Sequence, residues 1–294
     1  HEIMAEYVNL LSIPNVASDT ANIGRNANLI VQMLERRGVK TRLLEIPEAP
    51  PVVYGEILTP GATRTLIFYA HYDGQPVEPA KWVGGDPFKP TLRSAAVDAG
   101  GKDIPFPAKG ETFDPEWRLY ARSTGDDKAP VIAICAALDA FKASQIAINS
   151  NIKFFFEGEE EAGSPHLNEI LEKHRPLLQS DQWIICDGPV QQSGKKQISL
   201  GVRGDAHLDL TVYASKRPLH SGHYGNWAPN PAMMLVKLLA SMKDDNGRVT
   251  IKGFYDDVVV STPEERDLMA RAPFDEKEYA TIIIGSEEIG RAHV

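Results

Sequence analysis

Residues 65–70, 152–156 and 183–186 are nearly unbroken apolar runs of strand length, the second interrupted only by Lys153. Runs this short and this uniform fit strands covered on both faces better than strands with one wet side. Each ends on side chains that do not belong in a core. His71-Tyr72-Asp73 follows the first, Glu159-Glu160-Glu161 the second and Asp187 the third. Segments of helical periodicity lie between them, and that alternation indicates a layered α/β domain with a largely parallel sheet. Open sheets of this kind bind ligands beyond the carboxyl ends of their strands, where these polar residues fall.

The remaining elements follow from the same patterns. Ile3, Tyr7, Leu10 and Leu11 have helical spacing, and a second helix begins at Asn22 or Gly24 and stops at Gly38. Residues 39–46 and 52–58 read as strands, separated by Pro47, Pro50 and Pro51. Residues 82–117 are rich in Gly, Pro and charge and predict a long insertion folded as a hairpin or flap. A short strand at residues 119–121 leads to Asp126, and Pro130 opens the next helix. Ser164-Pro165 caps a helix through Leu171 and Lys173.

From Gly201 the pattern changes. Ala206, Leu208, Leu210 and Val212 alternate with Asp205, His207, Asp209 and Thr211, which predicts a half-buried strand of an open-faced sheet. Asn230-Pro231 then starts a helix. The change divides the chain into residues 1–199 and residues 200–287. Residues 288–294 read as an artefactual tail and are set aside with His293.

Composition excludes some functions. A formal net charge of −9 lacks the basic footprint of a nucleic-acid binder, and no apolar run is long enough for a transmembrane helix. Cys135 and Cys186 sit in apolar segments and read as small core residues rather than a disulfide pair. Nothing in the sequence specifies a compartment.

His71, Asp126, Glu161 and Asp187 each fall at or just after a predicted strand end. Imidazole with carboxylates is a ligand set for zinc or a similar divalent ion. Four such groups, one able to bridge, suggest two ions about 3.5–4 Å apart. Three glutamates alone would more often form a solvated acidic loop, but three other polar stretches at the same sheet edge reverse that reading.

His71-x-Asp73, Ser123-Thr124-Gly125-Asp126-Asp127-Lys128, Glu160-Glu161-Ala162-Gly163-Ser164 and Asp187 resemble, in order, the metal-site motifs of the M20 family of dinuclear metallopeptidases. Leu219-His220-Ser221-Gly222-His223-Tyr224-Gly225 resembles a further run of the carnosinase-like dipeptidase branch, Leu-His-Ser-Gly-x-Tyr-Gly. The resemblance implies a three-layer zinc-exopeptidase-like catalytic domain followed by a partial α+β lid and dimerisation domain. It implies that His71 and Asp187 bind one metal, Glu161 binds the other and Asp126 bridges. Asp73 would hydrogen-bond the His71 imidazole, and Glu160 would be the general base, with Glu159 a spectator. Asp127 would stand outside the ligand set, its peptide with Asp126 cis, and Lys128 would pair with a carboxylate. His220 would contact substrate, in related dimers from the partner's side. The metals would be zinc, with manganese or cobalt suited to similar ligands.

The implied activity is hydrolysis of dipeptides or short peptides by a homodimer, with no nucleic-acid or membrane partner. A second reading is an N-acyl-amino-acid deacylase using the same groups, and a third is a non-catalytic binding relative. Glu160 and every ligand of this span are present, against the third. Ala129 stands where the family has glycine, a tolerable change. The family's last metal-binding histidine has no counterpart here, so residues 1–287 alone are expected to be an incompetent enzyme. His166, His174 and His207 are expected to be exposed.

Overall fold

Consecutive phenylalanines on one strand must point to opposite faces of a sheet, and this chain covers both. The computed structural model describes residues 2–188, 190, 195–202, 204 and 207–273. It comprises two units, His1–Pro189 and Val190–Val294. The first runs α1 (Glu2–Leu11), α2 (Thr20–Glu35), β1 (Lys40–Leu44), β2 (Val52–Ile57), β3 (Thr65–His71), β4 (Thr91–Arg93), β5 (Asp103–Ile104), β6 (Arg118–Tyr120), α3 (Lys128–Ala143), β7 (Asn151–Glu157), α4 (Leu167–Lys173) and β8 (Gln182–Ile185).

Phe154 and Phe156 of β7 join Ala70 and Val53 in a core closed by α1, α2 and α3. Phe155 points the other way, with Tyr54, Ile67 and Tyr69, into a core closed by Ile170 of α4. Helices on both faces account for the unbroken apolar runs and give three layers, as the fold class predicts. The main sheet has the order β1-β2-β7-β3-β8. It is mixed: β3 is parallel to both β7 and β8, while β1–β2 and β2–β7 are antiparallel. The three parallel strands are those whose ends carry the polar residues.

Register aligns those ends. His71 lies opposite Glu157, and Tyr69 opposite Ile185. Two residues further along, Asp187 therefore comes level with His71, and the glutamate triplet leaves β7 at the same edge. The helices begin where local chemistry allows: Asp19 caps α2 by accepting the Asn22 amide at 3.1 Å.

The insertion folds as a three-stranded antiparallel sheet, β5-β4-β6. The short strand before Asp126, expected in the main sheet, belongs to this small one, because Arg118–Tyr120 pairs with Thr91–Arg93. Asp126 is accordingly placed by the start of α3, not by the end of a core strand.

Lys128 departs from expectation. Among the described residues it pairs with no carboxylate: its fully buried Nζ donates to the carbonyls of Leu10 at 2.8 Å and Ile13 at 3.2 Å. Leu10 lies in the last turn of α1, where carbonyls lack helical partners. The first residue of α3 thus ties down the end of α1. Asn15 adds a second tie, donating to the Tyr72 carbonyl at 2.8 Å and to Ser123 Oγ at 2.9 Å.

The second unit contains α5 (Ser221–Tyr224), α6 (Pro231–Ala240) and α7 (Pro263–Arg271). Asn230 caps α6 through the amides of Ala232 and Met233. Residues 207–212 form no strand, contrary to their alternation. A half-buried strand needs a neighbouring edge, and among the described residues of this unit the only pairing is an isolated bridge between Lys243 and Val249. Asp205, Ala206 and residues 288–294 lie outside the described residues.

Burial pushes the Lys128 amine down to about 7, and its two hydrogen bonds are as many as a neutral amine can donate. Between that value and the unfolded value near 10.4, the unfolded chain holds a proton that the folded chain lacks. Stability should therefore rise with pH across this window, by up to about 1.4 kcal/mol per unit. Urea unfolding of the chain and of Lys128→Met at about pH 6 and about pH 9 should show the rise attributable to this amine in the former and not in the latter.

Candidate metal centre

His71 is fully buried at the end of β3. Its backbone N–H donates to Asp127 Oδ2 at 3.1 Å. Its Nε2 faces carboxylates, with Asp126 Oδ1 at 2.9 Å, Asp187 Oδ2 at 3.7 Å and Glu160 Oε2 at 3.8 Å. On the other side Nδ1 lies 3.2 Å from Asp73 Oδ1, at an angle that falls short of a hydrogen bond.

Asp73 does more than the expected imidazole contact. Its Oδ1 accepts the Glu160 amide at 3.1 Å and its Oδ2 the Glu161 amide at 3.0 Å. One buried carboxylate thus holds the turn on which the two glutamates sit, a 3-10 turn spanning Glu160–Ala162. Gly74 follows because nothing larger fits: a Cβ there would come 2.3 Å from Ser123 Oγ and 3.1 Å from the Asn15 amide nitrogen.

Two groups of possible ligands share His71. His71, Asp126 and Glu161 each offer an atom within 4.8 Å of the others, as do His71, Asp127 and Asp187. The four residues singled out for metal therefore gather around one imidazole. Asp127, expected to stand outside the set, joins them, and the Asp126–Asp127 peptide is cis. Glu161 Oε2 accepts Gln75 Nε2 at 2.6 Å.

Glu159 is not a loose spectator. It is buried, and it accepts the His166 amide at 3.0 Å and holds His166 Nδ1 at 3.0 Å. His166, expected to be exposed, is thereby half-buried, as is His174. Among the residues that sequence patterns missed, Gln75 stands two places beyond Asp73. Asn15 is a lone polar residue after Ile13-Pro14 that no local pattern marks.

Electrostatics follow from crowding. Burial alone would lower the His71 pKa, but Asp73, Asp127 and Asp187 outweigh it and push it up to about 9. Burial pushes Asp127 up to about 7 despite the His71 amide and imidazole. Glu160 and Asp187 are raised as well, first by burial and then by neighbouring carboxylates, with His71 opposing. A divalent cation among these groups competes with the same protons, so binding should release them. Imidazole surrounded by carboxylates is a fitting donor set for such an ion. Beside Glu160 and Asp187 opens a cavity of about 420 Å³ with largely apolar walls that include Tyr69, Leu167, Trp183 and Ile185.

The sequence profile of peptidase family M20/M25/M40 matches residues 67–289. The chain belongs to this family. M20 relatives bear out both the fold and the resemblance to the carnosinase-like branch. Human Beta-Ala-His dipeptidase is 32% identical over 232 residues, 78% of this chain and 41% of that protein. The Cys-Gly metallodipeptidase dug1 of Schizosaccharomyces pombe is 27% identical over 278 residues, 90% of this chain and 54% of that protein. The M20 family metallo-carboxypeptidase Sso-CP2 from Sulfolobus solfataricus superposes with a TM-score of 0.73 at 31% identity, covering 99% of this chain and 61% of that one. The chain thus spans about half the length of the curated M20 relatives it matches.

The turn geometry separates the three glutamates. Glu161→Gln should lower bound metal. Glu159→Gln should leave metal content unchanged and lower stability by about 1–3 kcal/mol, through loss of its charge-assisted bonds to His166. Metal analysis together with thermal unfolding reads both effects. Metal lost from the Glu159 variant and kept by the Glu161 variant would move the ligand two residues earlier, from Glu161 to Glu159.

Proposed function

We propose that this chain carries the metal-dependent site of a peptidase acting on dipeptides or short peptides. The observation that carries the reading is the buried His71 imidazole, its Nε2 facing Asp126, Asp187 and Glu160 at 2.9–3.8 Å. Relatives named as dipeptidases support the substrate class.

In this reading His71 and Asp187 would hold one divalent ion and Glu161 the other, with Asp126 serving both. When bound, the ions, zinc foremost, would supply positive charge to polarise the scissile carbonyl and acidify the attacking water. Glu160 is the general base. It takes a proton from that water on a carboxylate oxygen and returns it to the departing amine nitrogen. Burial raises its pKa above the ordinary carboxylate range, the direction that helps it hold the proton it takes from water. Asp73 keeps Glu160 and Glu161 on one turn with their roles distinct. His220, on the second unit, contacts the substrate, and the active form is a homodimer assembled through that unit.

Glu160→Gln keeps the size of the side chain and cannot accept the proton. Measured in a complete enzyme that carries these residues, turnover of a dipeptide should fall by about 10²–10⁴-fold while bound metal stays near the unsubstituted level. Metal analysis and hydrolysis assays on the same preparation test this. Lost metal would make Glu160 a ligand, and undiminished turnover would remove it from the mechanism.

A further inference from the structure

His220 caps the short helix α5 with its side chain: the Gly222 backbone N–H donates to His220 Nδ1 at 3.1 Å. A backbone N–H can only donate, so this contact asks Nδ1 to accept and favours, without by itself fixing, the neutral tautomer with its proton on Nε2. The His223 ring packs against the same imidazole, centroids 4.8 Å apart, with its Nδ1 3.2 Å from His220 Nδ1. Two ring nitrogens at that distance need one proton between them. With His223 protonated on Nδ1, its N–H would share the single His220 Nδ1 lone pair with the Gly222 N–H, and the two donors together favour His220 protonated on Nε2. Gly222 lets the ring lie this close, since a Cβ there would meet His220 Cε1 at 3.0 Å.

We propose that His223 is a positioning residue that, with the Gly222 amide, fixes the tautomer and orientation of His220 and leaves Nε2–H as its remaining donor. A donor in that place suits the carbonyl oxygen of an amide substrate and the oxyanion it becomes. His223 occupies the variable position of the Leu-His-Ser-Gly-x-Tyr-Gly run, so this contact comes from the residue that this chain places there. The proposal deepens the reading of His220 as a substrate contact and rests on it. The two can fail separately.

The chain labelled with nitrogen-15 histidine provides the test, with His220 assigned by loss of its signals in His220→Gln. Long-range proton–nitrogen spectra at neutral pH should show His220 with an unprotonated Nδ1 and a protonated Nε2, and His223 protonated on Nδ1. His223→Ala should move the His220 nitrogens toward a mixture of tautomers. His223→Asn, whose amide N–H takes the place of the Nδ1–H, should move them back. A His220 proton on Nδ1, or a His220 spectrum unchanged in His223→Ala, would overturn the proposal. Dipeptide hydrolysis by a complete enzyme that carries these residues then separates it from the reading beneath it. His223→Ala should lower kcat by about 2–10-fold, the worth of one neutral hydrogen bond, and His223→Asn should recover it. A tautomer shift without any loss of turnover, even in His220→Ala, would uphold the positioning and remove His220 from substrate contact.

Discussion

A single buried carboxylate, Asp73, joins the two halves of the metal centre. It is fully enclosed, so its charge needs close partners. It finds them in two backbone amides, at Glu160 and Glu161, and in the edge of the His71 ring. Because the amides belong to adjacent residues, the carboxylate fixes a turn rather than a side chain. A turn so held can send one glutamate toward a metal and its neighbour toward a water. The chemistry proposed for Glu160 and Glu161 depends on that divergence, and so on a residue that touches neither the substrate nor, in this account, the ions.

Around Asp73 the loops are braced from behind. Asn15 donates to Tyr72 and to Ser123, linking the loop after β3 with the loop that leads to Asp126. Lys128 fastens the start of α3 to the end of α1, directly behind Asp126 and Asp127. These contacts lie between segments more than 50 residues apart in sequence, yet each has one partner beside the candidate ligands: Tyr72 and Ser123 accept from Asn15, and Lys128 itself follows Asp126 and Asp127. Positions set this way resist the mutual repulsion of the carboxylates that crowd His71.

Much of this was legible in the sequence, for a physical reason. Strands covered on both faces leave unbroken apolar runs, and β3, β7 and β8 stand where those runs predict. Residues that close such runs collect at one sheet edge, so His71, the triplet Glu159-Glu160-Glu161 and Asp187 stood out before their distances were known, while the choice of Glu160 and Glu161 within the triplet came from the resemblance to M20 motifs. What stayed hidden was non-local. Lys128 looked like an ion-pair partner because its true acceptors are main-chain carbonyls over 100 residues away. Glu159 looked idle because its partner His166 is recruited only by the turn. Residues 119–121 were placed in the wrong sheet because a three-residue apolar stretch does not say which edge it will pair with. The alternation at residues 207–212 misled for a related reason, since periodicity describes a strand's faces and not the presence of a neighbour.

The central claim is that the Asp73 carboxylate organises the metal centre through the Glu160 and Glu161 amides. Asn at this position keeps the shape but offers one acceptor oxygen where two amides need two, and it lacks the charge that faces His71. Calorimetric titration of zinc into the metal-depleted chain and into Asp73→Asn, with both shown folded by circular dichroism, is the direct measurement. The account predicts an affinity about 10–100-fold weaker in the variant, the usual scale for loss of a ligand-orienting partner. Equal affinity in the two folded proteins would contradict it.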